Sequence, residues 1–167
     1  MLLLPPQYRA FQGPLVFLAG PVQGAADWQG DAISYLTATA PGLNIASPRR
    51  SYLPGTFDHG AQVDWETHHL RRAAENGVLL FWLAAEREHD CSRSYAQTTR
   101  FELAEWKIRH ERDGVRMVIG IEDGFSGARY IRRRFAQDCP AVPIVNALKD
   151  ACGQASKLAR QAVDDGP

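Results

Sequence analysis

Two glutamates stand where a carboxylate could do chemistry: Glu102 in "TTRFELAEW", 98–106, and Glu66 in "QVDWETHHLRRAAEN", 62–76. A carboxylate held partly out of water can attack an electrophilic carbon, while a protonated partner supplies a proton to the group that leaves. At an anomeric carbon that division of labour cleaves a glycosidic bond. Glu102 has an ordinary reading as well. The run "T-R-F-E", 99–102, fits a capping box, with Thr99 accepting from a first-turn amide and Glu102 reaching back to the cap amide. "S-Y-A-Q", 94–97, offers a competing cap. If the helix starts near Thr98, Glu102 falls in its first turn, where the helix dipole favours the ionised form. The residues alone leave cap and chemistry both open.

Around Glu66 the candidates for a second titratable group are Asp64, Glu66 itself and His69, with Trp65 among them at the edge of the expected cleft. The adjacent His68 and His69 point about 100° apart on a helix and do not make a chelating i, i+4 pair. No other His, Cys or Asp array has ligand spacing, so no catalytic metal is expected. Neither G-x-G-x-x-G nor G-x-x-x-x-G-K-[ST] occurs, and no cofactor is expected. In "AGPVQGAADW", Gly20-Pro21 follows an apolar run and permits a sharp turn with close backbone approach. Trp28 reads equally as core or as a stacking platform. In "SPRRSYLPGTFDHG", Arg49 and Arg50 can fork onto an anionic or carbonyl oxygen, or simply be solvated.

The elements that must position these residues alternate. Short apolar runs at 14–20, 43–48, 77–84, 115–121 and 141–145 read as strands. Amphipathic stretches near 27–39, 62–76, 98–111, 126–136 and 146–163 read as helices. "GVLLFWLA", 77–84, is the most apolar run and the best candidate for a central strand buried on both faces. The βα alternation predicts a single α/β domain with a five-stranded parallel sheet, order 2-1-3-4-5, and helices on both faces. A barrel would need eight units and ~250 residues. In open sheets of this kind ligands bind outside the carboxyl ends of the strands, which is where the quoted loops fall.

Composition bounds the partners. Lys plus Arg and Asp plus Glu each number 19 in 167 residues, so no global charge steers the chain to a nucleic-acid polymer or an anionic membrane. "YIRRRF", 130–135, reads as a solvated helix face. Cys91, Cys139 and Cys152 are odd in number and lack metal spacing, which reads as reduced thiols in a cytoplasmic protein. The opening "MLLLPPQYRAF" has no basic n-region and is broken by prolines, so neither a signal peptide nor a membrane span is expected.

Taken in order, "FLAGP", a downstream Trp, "SPRR", "DWE", "LLFWL", "TTRFELAEW" and "VIGIEDGFSGARYI" resemble the nucleoside 2-deoxyribosyltransferase-like family, in its bacterial branch with "WE" and "TRFELGEW" signatures. The similarity spans roughly residues 14–148. It implies a flavodoxin-like sheet and cleavage of an N-glycosidic bond of a 2′-deoxyribonucleoside, with Glu102 attacking C1′ and expelling the base. A second base then takes the sugar in transfer, or water takes it in hydrolysis. The proton donor aligns with Glu66, Asp64 or His69. Gly20, Pro21, Trp28 and Trp65 fall around the substrate, and Thr98 and Thr99 fall against the sugar or its 5′ substituent. A 5′-monophosphate substrate would draw on Arg49, Arg50 or Arg100. Related enzymes assemble as dimers or hexamers, so a homo-oligomer is expected. Two positions depart from the family pattern: Ala104 replaces a glycine, and Ala96 an aspartate that helps hold the base. The alternatives are a nucleoside 5′-monophosphate N-glycoside hydrolase and a catalytically silent nucleotide-binding module.

Overall fold

Residues alternate between two apolar environments along every main strand, and that alternation builds the molecule. The computed structural model describes residues 1–50 and 55–164. Part of the Pro- and Arg-rich loop and the end of the acidic tail lie outside them. The strands are β1 (Leu2–Leu3), β2 (Leu15–Ala19), β3 (Asn44–Ala46), β4 (Gly77–Leu83), β5 (Met117–Ile121) and β6 (Ile144–Val145). The helices are α1 (Trp28–Thr39), α2 (His59–Asn76), α3 (Gln97–Asp113), α4 (Ala128–Asp138) and α5 (Leu148–Asp164).

All six strands join one parallel sheet in the order β1-β3-β2-β4-β5-β6. The five strands expected from periodicity occur in the expected order. The sixth is the addition: Leu2 and Leu3 pair with Ile45 and Ala46 and extend the edge beyond β3. Two residues carry no periodicity, so nothing local in the sequence marks them as a strand.

Side chains of a strand point alternately to opposite faces. On one face Leu15, Phe17, Ala19, Leu79, Phe81, Leu83, Met117 and Ile119 meet Trp65 and Leu70 of α2, Leu103 and Trp106 of α3, and Phe135 of α4. On the other, Val16, Leu18, Val78, Leu80, Trp82 and Val118 meet Trp28 and Leu36 of α1 and Ala151, Cys152, Ala155 and Ala159 of α5. The small residues of α5 let it lie close on the sheet. β4 is buried along its whole length, as its unbroken apolar run predicts.

From β2 the chain passes through α1 to β3 on one side, crosses back through α2 to β4, and continues through α3 to β5 and α4 to β6 on the other. The carboxyl ends of β2 and β4 are therefore where the connections diverge and leave a crevice. No helix among the described residues is long and apolar enough to cross a membrane.

Candidate functional site

A cavity of 610 Å³ opens at that crevice. Its floor is Phe17 and Ala19 at the end of β2. One wall is the loop Gly20–Gln23, a second is the face of α2 bearing His59, Gln62, Val63 and Glu66, and a third is the start of α3. Glu66 and Glu102 both line it.

The β2–α1 loop is held open by a close approach that only glycine permits. Gly20 has φ +156°, and a Cβ there would run into the Trp82 carbonyl oxygen and lie 2.7 Å from Trp28 Cζ2. Trp28 is buried and donates from Nε1 to the Pro21 carbonyl at 2.9 Å. It props the loop from behind and does not line the cavity. At the loop's far end the Gly24 carbonyl accepts from the amides of Arg87 and Glu88 at 2.7 and 3.2 Å, tying the loop to the segment after β4. That segment is fixed in turn by Glu122 at the end of β5, which accepts from the Ala85 amide at 2.7 Å and pairs with Arg87.

Helix α3 does not begin as the capping box predicts. Its cap residue is Ala96, in the left-handed conformation with φ 55° and with no side-chain cap. A non-glycine residue in this region carries backbone strain, and here it lines the cavity. Thr99 is therefore the third helical residue, buried against the cavity, and Glu102 sits in the second turn instead of the first. Glu102 does not return to a cap amide. It faces the cavity, one turn along from Thr98 and Thr99.

Electrostatics set the two carboxyl groups apart. Burial pushes Glu102 up to about 8, with further contributions from the charges of Glu66 and Glu105. Burial also raises Glu66, but a hydrogen bond from Gln62 and the charge of His59 both oppose it. Gln62 Nε2 reaches Glu66 Oε1 at 2.7 Å and the Pro48 carbonyl at 3.0 Å. The surroundings thus favour the charge on Glu66 and the proton on Glu102. Two carboxyl groups whose surroundings push their titrations apart are a basis for acid and base roles.

The residues singled out from sequence divide by helix phase. Glu102, Glu66, Gly20, Pro21, Arg50, Thr98 and Thr99 come together around the cavity. Trp65 and His69 do not. Trp65 is fully buried against Phe17, and the ring of His69, 1% exposed, stacks on Trp65 at 4.0 Å with Nδ1 2.9 Å from the Trp65 carbonyl. Burial lowers the His69 pKa, which keeps the ring neutral in the core. Asp64 is exposed on the outer face of α2. Arg49 pairs with Asp27 at 3.2 Å and donates to the Ala26 carbonyl, away from the cavity. Arg100 donates to the Ser126 carbonyl at 2.8 Å and lies over the Phe125 ring, bracing the β5–α4 loop.

Sequence reading missed His59, Gln62, Phe57, Arg93 and Ser94, which also line the cavity. The cavity residues of α2 were accessible from spacing alone: 59, 62 and 63 stand with Glu66 at i, i+3, i+4, i+7 and so share one face. Arg93 sits in an irregular loop, paired with Asp90 at 3.2 Å, and no periodicity marks it.

Among the described residues no group of three or more His, Cys, Asp or Glu could hold a metal ion. No family model and no curated protein matches the chain.

Proposed function

We propose that this protein cleaves the N-glycosidic bond of 2′-deoxyribonucleosides and transfers the sugar to a second base through an ester on Glu102. The observation that carries this reading is the pair Glu66 and Glu102 opening into one cavity of 610 Å³ at the strand-end crevice. That volume lies in the range of small-molecule sites.

The pair holds the inventory the reaction needs. Within the singly protonated pair, the proton of Glu102 moves to Glu66, leaving Glu102 ionised. Glu102 Oε then bonds to C1′ as the C1′–N bond breaks, and the electron pair of that bond goes to the base. Glu66 gives its proton to the departing nitrogen. In the second half the incoming base loses a proton to Glu66 as its nitrogen displaces Glu102 from C1′. A carboxylate with a raised pKa is a stronger nucleophile once ionised, and a partly desolvated anion stabilises the oxocarbenium-like charge that develops beside it.

A second reading has its own support. Arg50 and Arg93 both line the cavity, so a nucleoside 5′-monophosphate is the alternative substrate, cleaved with water as acceptor. Assembly as a homo-oligomer belongs to the same proposal. Phe101, 73% exposed, and Ile108, 49% exposed, stand on one stripe of α3, the helix that carries Glu102.

The test is a panel of 2′-deoxynucleosides and their monophosphates, incubated with and without acceptor adenine or cytosine. A new nucleoside supports transfer, and free base without acceptor supports hydrolysis. Binding without turnover replaces both with a silent nucleotide-binding module.

A further inference from the structure

Gln62 and Glu66 stand one turn apart on the cavity face of α2, and the glutamine does more than fill space. Its Nε2 donates both to the Pro48 carbonyl, at 3.0 Å, and to Glu66 Oε1, at 2.7 Å. Two acceptors fix which way the amide points, because turning it over would set its oxygen against a carbonyl and a carboxylate. Pro48 follows β3, so the clamp ties the carboxylate to the end of a strand and not merely to its own helix.

We infer that Gln62 is a positioning residue that holds Glu66 as the charge-bearing member of the carboxylate pair and thereby leaves the proton on Glu102. A carboxylate receiving an N–H is favoured in its charged form. Charged groups from every element around the cavity share it with Glu66. His59 comes from its own helix, Glu102 from α3, Arg50 from beyond β3 and Arg93 from the loop after β4. Of these, the charge of His59 works with Gln62 on Glu66, and the charge of Glu66 in turn disfavours ionisation of Glu102. The arrangement stores the site in a resting form. Moving the proton to Glu66, as the proposed reaction requires, weakens the Gln62 contact, since a protonated oxygen is a poorer acceptor.

This inference rests on the glycosyl-transfer reading for its consequence, but not for its test. The ¹³C resonances of the side-chain carboxyl carbons of Glu66 and Glu102 are followed against pH in the full chain, assigned with Glu66→Gln and Glu102→Gln. Gln62→Met keeps the length and removes the donor. The expected result is an upward move of the Glu66 titration by more than about half a pH unit, with the two titrations drawn together. Gln62→Asn, too short to bridge both acceptors, is expected to act in the same direction and serves if the methionine variant does not fold. Unmoved titrations in a folded variant overturn the inference. Moved titrations in a protein that turns over no nucleoside keep the inference and overturn the reaction. Where turnover is present, the acid limb of kcat/KM shifts up with the titration while kcat is maintained; a merely structural glutamine would lower kcat and leave the limb in place.

Discussion

Trp28 Nε1 donates to the Pro21 carbonyl at 2.9 Å, across seven residues of the β2–α1 loop. The indole is buried on the far side of the turn from the cavity, so its role is to hold the loop's backbone and not to stack on a ligand. Trp28→Phe keeps most of the apolar volume and leaves the Pro21 carbonyl without this donor. The expected cost is ~1–2 kcal/mol in denaturant unfolding. Substrate KM should rise through a loosened wall while kcat changes little. An unaltered KM would mean that the loop holds itself.

Gly20 tests the same wall by steric means. Alanine there would need a positive φ of 156° and a Cβ 2.7 Å from Trp28 Cζ2, with the Trp82 carbonyl closer still. Gly20→Ala should destabilise by at least ~2 kcal/mol, measured as a lowered denaturation midpoint at unchanged slope. Gly42, with nothing near its Cβ position, is the control for spatial crowding, although its φ of 96° still strains an alanine.

Much of this architecture is legible in the residues, and the exceptions have physical causes. "GVLLFWL" could be little else than a doubly covered strand, because every second residue must find a separate apolar layer. Leu2 and Leu3 gain their strand character only from Ile45 and Ala46, more than forty residues away, so no local pattern announces them. Helix α3 starts three residues before the position that a capping box at Thr99 sets, for a similar reason. Thr99 and Glu102 have the spacing of a capping box, but the helix is entered through a left-handed Ala96, an unusual conformation that sequence does not advertise. The α2 candidates were grouped by nearness in sequence, whereas 100° per residue sends Glu66 to the cavity and Trp65 and His69 to the core. Spacing could have separated them. The position of Arg93 could not have been found that way.

Glu102 makes a prediction with two readouts. Glu102→Gln should lower base release at least ~10³-fold, since the variant lacks the oxygen anion that the proposed reaction bonds to C1′. The sign of its stability effect follows from the raised pKa. Folding holds the proton on Glu102 up to about 8, so the native state gains nothing from ionisation above the usual carboxylate range while the unfolded chain does. That stability is complete below the unfolded value of 4.5 and is lost as pH rises through about 8. Glutamine has no such penalty. The variant should therefore match the parent near pH 4 and exceed it at pH 9 by roughly 1–3 kcal/mol, after discounting for the water that reaches the cavity. Equal stability at both pH values would place Glu102 in an ordinary solvated setting.

The arginines separate the two substrate readings. Arg50 and Arg93 line the cavity, while Arg49 is engaged with Asp27 and the Ala26 carbonyl. If a 5′-phosphate is bound, Arg93→Ala and Arg50→Ala should each raise KM for monophosphates about tenfold or more, with deoxynucleosides unaffected. Arg49→Ala should leave both substrates alone and cost about 1 kcal/mol of stability, as expected for an ion pair whose aspartate is exposed and whose arginine is half-buried. Equal losses on both substrate classes would assign the cavity arginines to the base or the sugar.

The pH dependence of turnover tests the shared proton itself. The proposed reaction uses the carboxylate pair with one charge and one proton, so it needs the pair to have lost its first proton and kept its second. Burial raises Glu66 above the usual carboxylate range, which sets the rising limb above it, and the second proton leaves near 8. The profile of kcat/KM should be a bell whose alkaline limb falls at about 8, an apparent value belonging to the pair. Glu66→Gln removes the proton carrier and should turn the profile over. Glu102 then loses a negative neighbour, its titration moves down, and the remaining slow turnover rises with pH and levels off instead of falling. A bell that survives in Glu66→Gln would mean that another group, with His59 the nearest candidate on the cavity face of α2, delivers the proton to the departing base.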